Sequence, residues 1–166
     1  MVSEHKNATV LLCGNAAGEL LPELYVLPYQ RVPTWAKTQE TDGPIITTSA
    51  SGWMSTDIFY EFVTVHFPRF VREKNIPTPV FLFADMHYAR LSTRVIEACR
   101  SSNVILYCLP PNSTAILQPL DVAVIRPIKE HWRSRQNPHL RGLPNEKFVG
   151  KIFKYDTLLC VQYIRL

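Results

Sequence analysis

Short apolar runs separated by turn residues dominate the first part of the chain. ATVLLCGN (8–15) predicts a buried strand that ends at a Gly-Asn turn, and GELLPELYVLPYQ contains a second strand at about 23–28. We expect these two strands to form a hairpin joined across residues 15–22. Residues 30–44 are polar and irregular, and PIITTS (44–49) predicts a further short strand.

Helical and strand patterns alternate in the middle of the chain. SGWMSTDIFYEFVTVHFPRFVREKN (51–75) has apolar residues at a helical period, with Ser55 as N-cap, and Pro68 should bend the helix or end its first part. TPVFLFAD (78–85), LSTRVIEACRSS (91–102) and NVILYCLPP (103–111) predict a strand, a helix and a strand. This order favours a parallel crossover unit, and so an α/β fold. A last helical stretch should begin near Pro119 and kink or restart at Pro127.

Composition and charge narrow the classes of protein. The chain of 166 residues is 46% hydrophobic, which suffices for one domain with a core. No run reaches the roughly 18 apolar residues of a membrane span, and MVSEHKNATV lacks the long apolar stretch of a signal peptide. The cysteines at 13, 99, 108 and 160 form no CxxC pair, so buried free thiols in a reducing compartment are the simplest interpretation.

Positive charge is concentrated at the end of the chain. Residues 1–121 contain nine Lys/Arg and eleven Asp/Glu, a net charge of −2, whereas residues 122–166 contain nine and three, a net charge of +6. This imbalance suggests an anionic partner such as nucleic acid. A solvated basic helix without a partner explains the same pattern equally well.

Two carboxylates stand near the ends of the two predicted parallel strands. Asp85 ends VFLFAD, and Asp121 lies a short loop beyond NVILYCL. Parallel strands share the edge where open α/β sheets bind ligands, so the two acids can meet there. Asp85 could instead start a turn, and Asp121 could stabilise a first helical turn. However, Asp121 shares a helical face with apolar residues, where an ionised carboxylate needs a basic side chain or a hard divalent cation such as Mg²⁺.

The motifs taken together resemble a known family. LLCGNAAGELLPELYVL, GWMSTDIFYEFV, VFLFADMHYAR and VILYCLPPNSTAILQPLDVAVIRPIKEHW occur in order over residues 8–133. They resemble the DDE endonuclease domain of pogo/Tigger-type transposases, which includes the jerky and centromere protein B relatives. The resemblance implies an RNase H-like mixed sheet flanked by helices over residues 1–133, followed by a divergent basic extension over 134–166. It also implies a nuclear protein that acts on DNA.

The resemblance implies a two-metal site with Mg²⁺ or Mn²⁺ that cleaves and transfers DNA strands. Asp85 matches the second of three catalytic and metal-binding acids, and Asp121 matches the third. His87 matches a histidine that commonly follows the second acid, although a loop histidine bonded to backbone fits the same position. Arg90 stands where a second family histidine is common.

The match also has a gap at its start. The first acid of the family lies on a central strand upstream of residues 9–14, and this chain begins too late to contain it. We therefore expect an inactive chain with an open sheet edge, which would expose apolar residues at 80, 82, 104 and 106 and permit self-association.

Three functions remain open at this point. The first is a transposase catalytic domain, now silent, and the second is a non-enzymatic DNA-binding or interaction module derived from one. The third is an unrelated α/β domain whose acids cap elements. Under the first two, the expected phosphate contacts are basic residues of the C-terminal part, with two weaker candidates after Asp85: Arg126, Lys129, Arg133, Arg135, Arg90 and Arg94.

Overall fold

A six-stranded mixed sheet with helices packed against it forms the framework of the chain. The computed structural model describes residues 8–37, 43–85, 87–110 and 127, together with the backbone of 153–162. The strands are β1 (Ala8–Asn15), β2 (Leu24–Leu27), β3 (Ile45–Thr48), β4 (Val80–Ala84), β5 (Val104–Cys108) and β6 (Phe153–Gln162). They lie in the order β3-β2-β1-β6-β4-β5. None of the helices in the described ranges has the length and apolar character that crossing a bilayer requires.

The predicted hairpin and the predicted crossover are both present. β1 pairs antiparallel with β2, and a bridge between Gly14 and Leu20 continues the pairing into the connecting loop. β4 pairs in parallel with β5 through the intervening helix α3 (Thr93–Ser101). β3, the third strand predicted in this region, pairs in parallel with β2. The mixed α/β fold class predicted from the sequence is therefore confirmed.

The long helix predicted for 55–75 is interrupted near its proline. Its first part, α1 (Thr56–Glu61), begins at Ser55, whose hydroxyl accepts a hydrogen bond from the N–H of Ile58 at 3.3 Å. A π-helical turn over 62–66 follows, in which the N–H of Phe67 donates to the carbonyl of Phe62. The second part, α2 (Phe67–Glu73), has a proline in its first turn. Since proline lacks an N–H and its ring clashes with the carbonyl four residues earlier, the wider turn accommodates it without ending the helix.

The core lies between one face of the sheet and the helices. On β4, Val80, Leu82 and Ala84 are fully buried, while Phe81 and Phe83 on the other face are only half-buried. The buried strand residues pack against a set of helical side chains from all three helices: Ile58, Phe59, Phe62, Phe67, Phe70, Val95 and Cys99. β1 is buried along both faces except at its last residue, as expected of an interior strand.

The sheet differs most from expectation at its centre. β6 pairs in parallel with β1 over eight residues and antiparallel with β4 over five. The prediction of an open sheet edge beside β1 and β4 is therefore wrong for the described sheet. Val80, Leu82 and Val104, which were expected to be exposed, are buried, and Leu106 is partly buried against the core. The physical reason is that residues 153–162 supply the missing backbone donors and acceptors on both sides.

We predict that the two halves of the sheet come apart without β6. Deletion of residues 153–166 should abolish cooperative urea unfolding, because β1 and β4 would each lose a paired neighbour and expose backbone groups and apolar side chains. Deletion of residues 163–166 alone, which leaves every β6 pair intact, is the matched control and should unfold like the full chain. Equal unfolding midpoints for both deletions would contradict this role of β6.

Candidate active site

Asp85 lies where the sequence places it, directly after the last residue of β4. Ala84 is paired with Cys108 of β5, and its carbonyl accepts a hydrogen bond from the N–H of Leu109 at 2.7 Å. The carboxyl ends of two parallel strands are therefore held side by side, as at ligand sites of α/β sheets. The Asp85 side chain is 36% exposed, so it lies at the rim of the core and keeps access to solvent.

A tight turn after β4 positions the groups around Asp85. Oδ1 of Asp85 accepts a hydrogen bond from the N–H of His87 at 3.0 Å, which starts the turn in the manner typical of aspartate. A 3-10 turn over 88–90 follows, closed by a hydrogen bond from the N–H of Arg90 to the carbonyl of His87 at 3.0 Å. The Tyr88 hydroxyl donates to the carbonyl of Met54 at 3.3 Å, which ties the turn to the segment before α1.

His87 has a structural role in this turn. Its Nδ1 accepts a hydrogen bond from the N–H of Ala89 at 3.4 Å, and its ring lies 4.5 Å from the ring of Tyr88 between centroids. This is the arrangement of a loop histidine bonded to backbone. It leaves the ring half-buried and two residues from Asp85, so a role as an active-site neighbour stays a prediction.

The position of Arg90 differs from the prediction that it contacts phosphate. Its side chain is 0% exposed, and its guanidinium forms an ion pair with Oδ1 of Asp85. The guanidinium also lies over the ring of Phe59, 5.3 Å from the centroid. A phosphate contact by Arg90 is incompatible with this position, because the charged group faces the core. The sequence feature that could have indicated this ion pair is Asp85 itself, because a partly buried carboxylate requires a cationic partner.

Burial shifts the pKa values of the groups around this ion pair. Loss of solvation lowers the pKa of Arg90 to about 10, an effect that the nearby Cys108 opposes. The guanidinium is therefore still charged at neutral pH. Burial raises the pKa of Cys99 to about 11, with Cys108 adding to the effect. It also raises the pKa of Cys108, which the positive charge of Arg90 partly offsets. Neutral thiols are poor nucleophiles, so neither cysteine is a candidate for covalent catalysis.

Arg94 lies outside this cluster on the exposed side of α3. Its guanidinium donates to Oδ1 of Asp57 at 2.9 Å and stacks on the ring of Tyr60 at 3.6 Å from the centroid. Both charged side chains are largely exposed. Arg94 thus fits the helix-surface interpretation left open by the sequence, and its outer face is still accessible to an anion.

The described residues do not assemble a metal site. Among residues 8–37, 43–85 and 87–110, no three His, Cys, Asp or Glu side chains are grouped so as to hold a metal ion. Asp85 is instead engaged by a cation from the protein. The other predicted site residues lie outside the described part of the chain: Asp121, Arg126, Lys129, Arg133 and Arg135. The predicted proximity of Asp121 to Asp85 and the predicted phosphate contacts are therefore untested.

We predict that Asp85 and Arg90 are strongly coupled in stability. Asp85→Asn leaves a buried guanidinium without its counter-charge, and the free energy of unfolding should fall by about 3 kcal/mol. Adding Arg90→Met should recover part of this loss, because no buried charge then remains. Arg94→Gln, which breaks a surface pair, should cost no more than about 0.5 kcal/mol. Urea denaturation of the unaltered chain, Asp85→Asn, Arg90→Met, the double variant and Arg94→Gln measures the coupling, and additive effects of the first two changes would contradict it.

Comparison with known proteins gives the family. Residues 5–148 match the DDE superfamily endonuclease family. A protein of Cochliobolus lunatus named MFS-type transporter clz9 is 28% identical over 131 residues, which are 78% of this chain and 14% of that protein. The chain thus spans a small part of that relative's length. No solved structure matches significantly. The family match covers most of the chain and includes the β4 and β5 ends where Asp85 lies, and on this basis the chain belongs to the DDE superfamily of endonucleases.

Proposed function

We propose that this chain is a DNA-binding domain of the pogo/Tigger transposase lineage. The observation that carries the proposal is the position of Asp85 at the paired carboxyl ends of β4 and β5, inside the range matched by the DDE family. A strand-end aspartate followed 36 positions later by the aspartate of LPPNSTAILQPLDVAV supports the finer assignment to the pogo/Tigger type. The family's substrate is DNA, and the proposed location is the nucleus.

Residues 126–154 are the proposed DNA-facing surface. Residues 122–166 have a net charge of +6, and a polyanion is the partner that such a concentration of charge favours. Arg126, Lys129, Arg133 and Arg135 are the proposed phosphate contacts. Arg94 is a weaker fifth candidate, because its guanidinium is already paired with Asp57.

The family's chemistry is metal-dependent cleavage and transfer of DNA strands, with Asp85 and Asp121 as the proposed metal-binding acids. When bound, Mg²⁺ or Mn²⁺ would activate the attacking oxygen and stabilise the leaving one. A second candidate function is a DNA-binding module derived from a transposase that no longer cuts DNA. The ion pair between Asp85 and Arg90 favours this second candidate, because a carboxylate held by a guanidinium is a poor ligand for a second cation.

We predict salt-dependent DNA binding by the full chain. Phosphate contacts release counterions, so the logarithm of the binding constant should fall linearly with the logarithm of salt concentration. Arg126→Gln should weaken binding to all sequences and reduce that slope by about 1. Arg72→Gln is the matched control, since Arg72 is an exposed arginine on α2 outside residues 126–154. Fluorescence anisotropy with duplex DNA measures both quantities. No binding at low salt, or a slope unaffected by salt, would reject the proposal.

We predict that the chain nicks supercoiled plasmid weakly or not at all in Mn²⁺. The reason is that Asp85 is engaged by Arg90, and a carboxylate already held in an ion pair is a poor ligand for a metal ion. The test compares the unaltered chain with Asp121→Asn, and with Asp57→Asn as a control acid on the exposed surface of α1. Nicking that disappears only in Asp121→Asn would establish the endonuclease and remove the non-cutting alternative.

A further inference from the structure

The Asp85 carboxylate has a cation supplied by the chain itself. Asp85 occupies the position at which the proposed function puts a metal-binding acid, yet its Oδ1 forms an ion pair with the guanidinium of Arg90 and accepts a hydrogen bond from the N–H of His87. The negative charge of Asp85 is therefore already paired with a positive charge from the chain itself. A guanidinium and a hard divalent cation compete for the same carboxylate.

Several contacts hold the guanidinium in this place. The backbone of Arg90 closes the turn over 88–90, and the hydroxyl of the adjacent Tyr88 anchors that turn to Met54. The side chain is completely buried and packs over the ring of Phe59. Movement of Arg90 into solvent would empty space between the sheet and α1, which costs packing. The cation beside Asp85 is thus fixed by the fold and does not exchange freely with solvent ions.

We propose that Arg90 is the resident cation of Asp85 and excludes divalent metal from this carboxylate. A metal ion at Asp85 would lie within a few ångströms of the guanidinium, where like charges repel strongly at the edge of a low-dielectric core. Arg90 is therefore a specificity-determining residue that sets whether the acid takes a metal or an internal ion pair. The inference rests on the proposed function only for the identity of Asp85 as a family acid.

The test measures Mn²⁺ binding to the full chain in the absence of DNA. We expect Arg90→Gln, which is neutral and can still bond to Asp85, to bind Mn²⁺ about tenfold more tightly than the unaltered chain. Adding Asp85→Asn should remove the gain, whereas Arg90→Lys should show no gain because it keeps the charge. Arg94→Gln is the matched control, since it removes an arginine four residues away on the surface. Electron paramagnetic resonance of free Mn²⁺ gives the affinities.

A second measurement decides the question even where Arg90→Gln fails to fold. In the unaltered chain, Mn²⁺ bound at Asp85 would broaden the amide signals of His87 and Ala89 in NMR spectra, since both lie in the turn bonded to that carboxylate. We expect these signals to persist in millimolar Mn²⁺. Selective broadening in the unaltered chain, or a folded Arg90→Gln protein with unchanged Mn²⁺ affinity, would overturn the inference.

The outcome is separable from that of the proposed function. Duplex DNA binding by the same proteins is measured without divalent metal, so it reports on the basic surface alone. If the chain binds DNA and Arg90→Gln gains no metal, the inference about Arg90 is wrong and the proposed function stands. If Arg90→Gln gains metal and the chain does not bind DNA, the proposed function is wrong and the competition at Asp85 stands.

Discussion

The described structure depends on one strand that pairs on both sides. β6 lies between β1 and β4, in parallel with the first and antiparallel to the second. The strands β3, β2 and β1 on one side and β4 and β5 on the other share no backbone ladder in the described sheet except through β6. Because buried backbone groups must be paired, the continuity of the core depends on a segment near the end of the chain. Folding must therefore bring together residues that are 145 positions apart in the sequence, such as Ala8 and Phe153.

The second constraint is that a charged side chain at the sheet edge needs a partner of opposite charge. Asp85 follows a strand whose core-facing residues are fully buried, and an unpaired carboxylate at the rim of the core is costly. The chain meets this requirement with Arg90, whose own burial is offset by the ion pair and by contact with Phe59. The ion pair thus places the two opposite charges side by side, within a segment of six residues. The charge of the Asp85 carboxylate is thereby balanced by a group of the chain itself.

These two features bear on how a DDE fold can lose or change activity. Membership of the family follows from the match over residues 5–148, and the fold and the position of Asp85 agree with it. Activity, however, depends on what surrounds each acid, and function belongs to the site and not to the fold. In this chain the carboxyl ends of β4 and β5 lie side by side, and the carboxylate described there is paired with a guanidinium of the chain itself.

Local patterns in the sequence determined most of the individual elements. The hairpin of β1 and β2, the N-cap at Ser55, the interruption near Pro68 and the parallel pair β4 and β5 follow from periodicity, capping and proline chemistry, which act over a few residues. The position of Asp85 at a strand end was predictable for the same reason. The resemblance of the motifs to the DDE family was also available from sequence alone, because those motifs are long and occur in order.

Tertiary structure alone decided the position of β6 and the environment of Arg90. The sequence of β6 does not reveal which strands it pairs with, because strand pairing is set by which edges the rest of the fold leaves open. Arg90 was predicted as a weaker phosphate contact, and arginine side chains are mostly exposed. Its burial depends on the turn at 88–90, on the packing of α1 and on the carboxylate of Asp85 at once. These contacts involve residues that are distant in the sequence or belong to no recognisable motif. They contribute to stability only once the chain has folded, so local sequence patterns do not predict them.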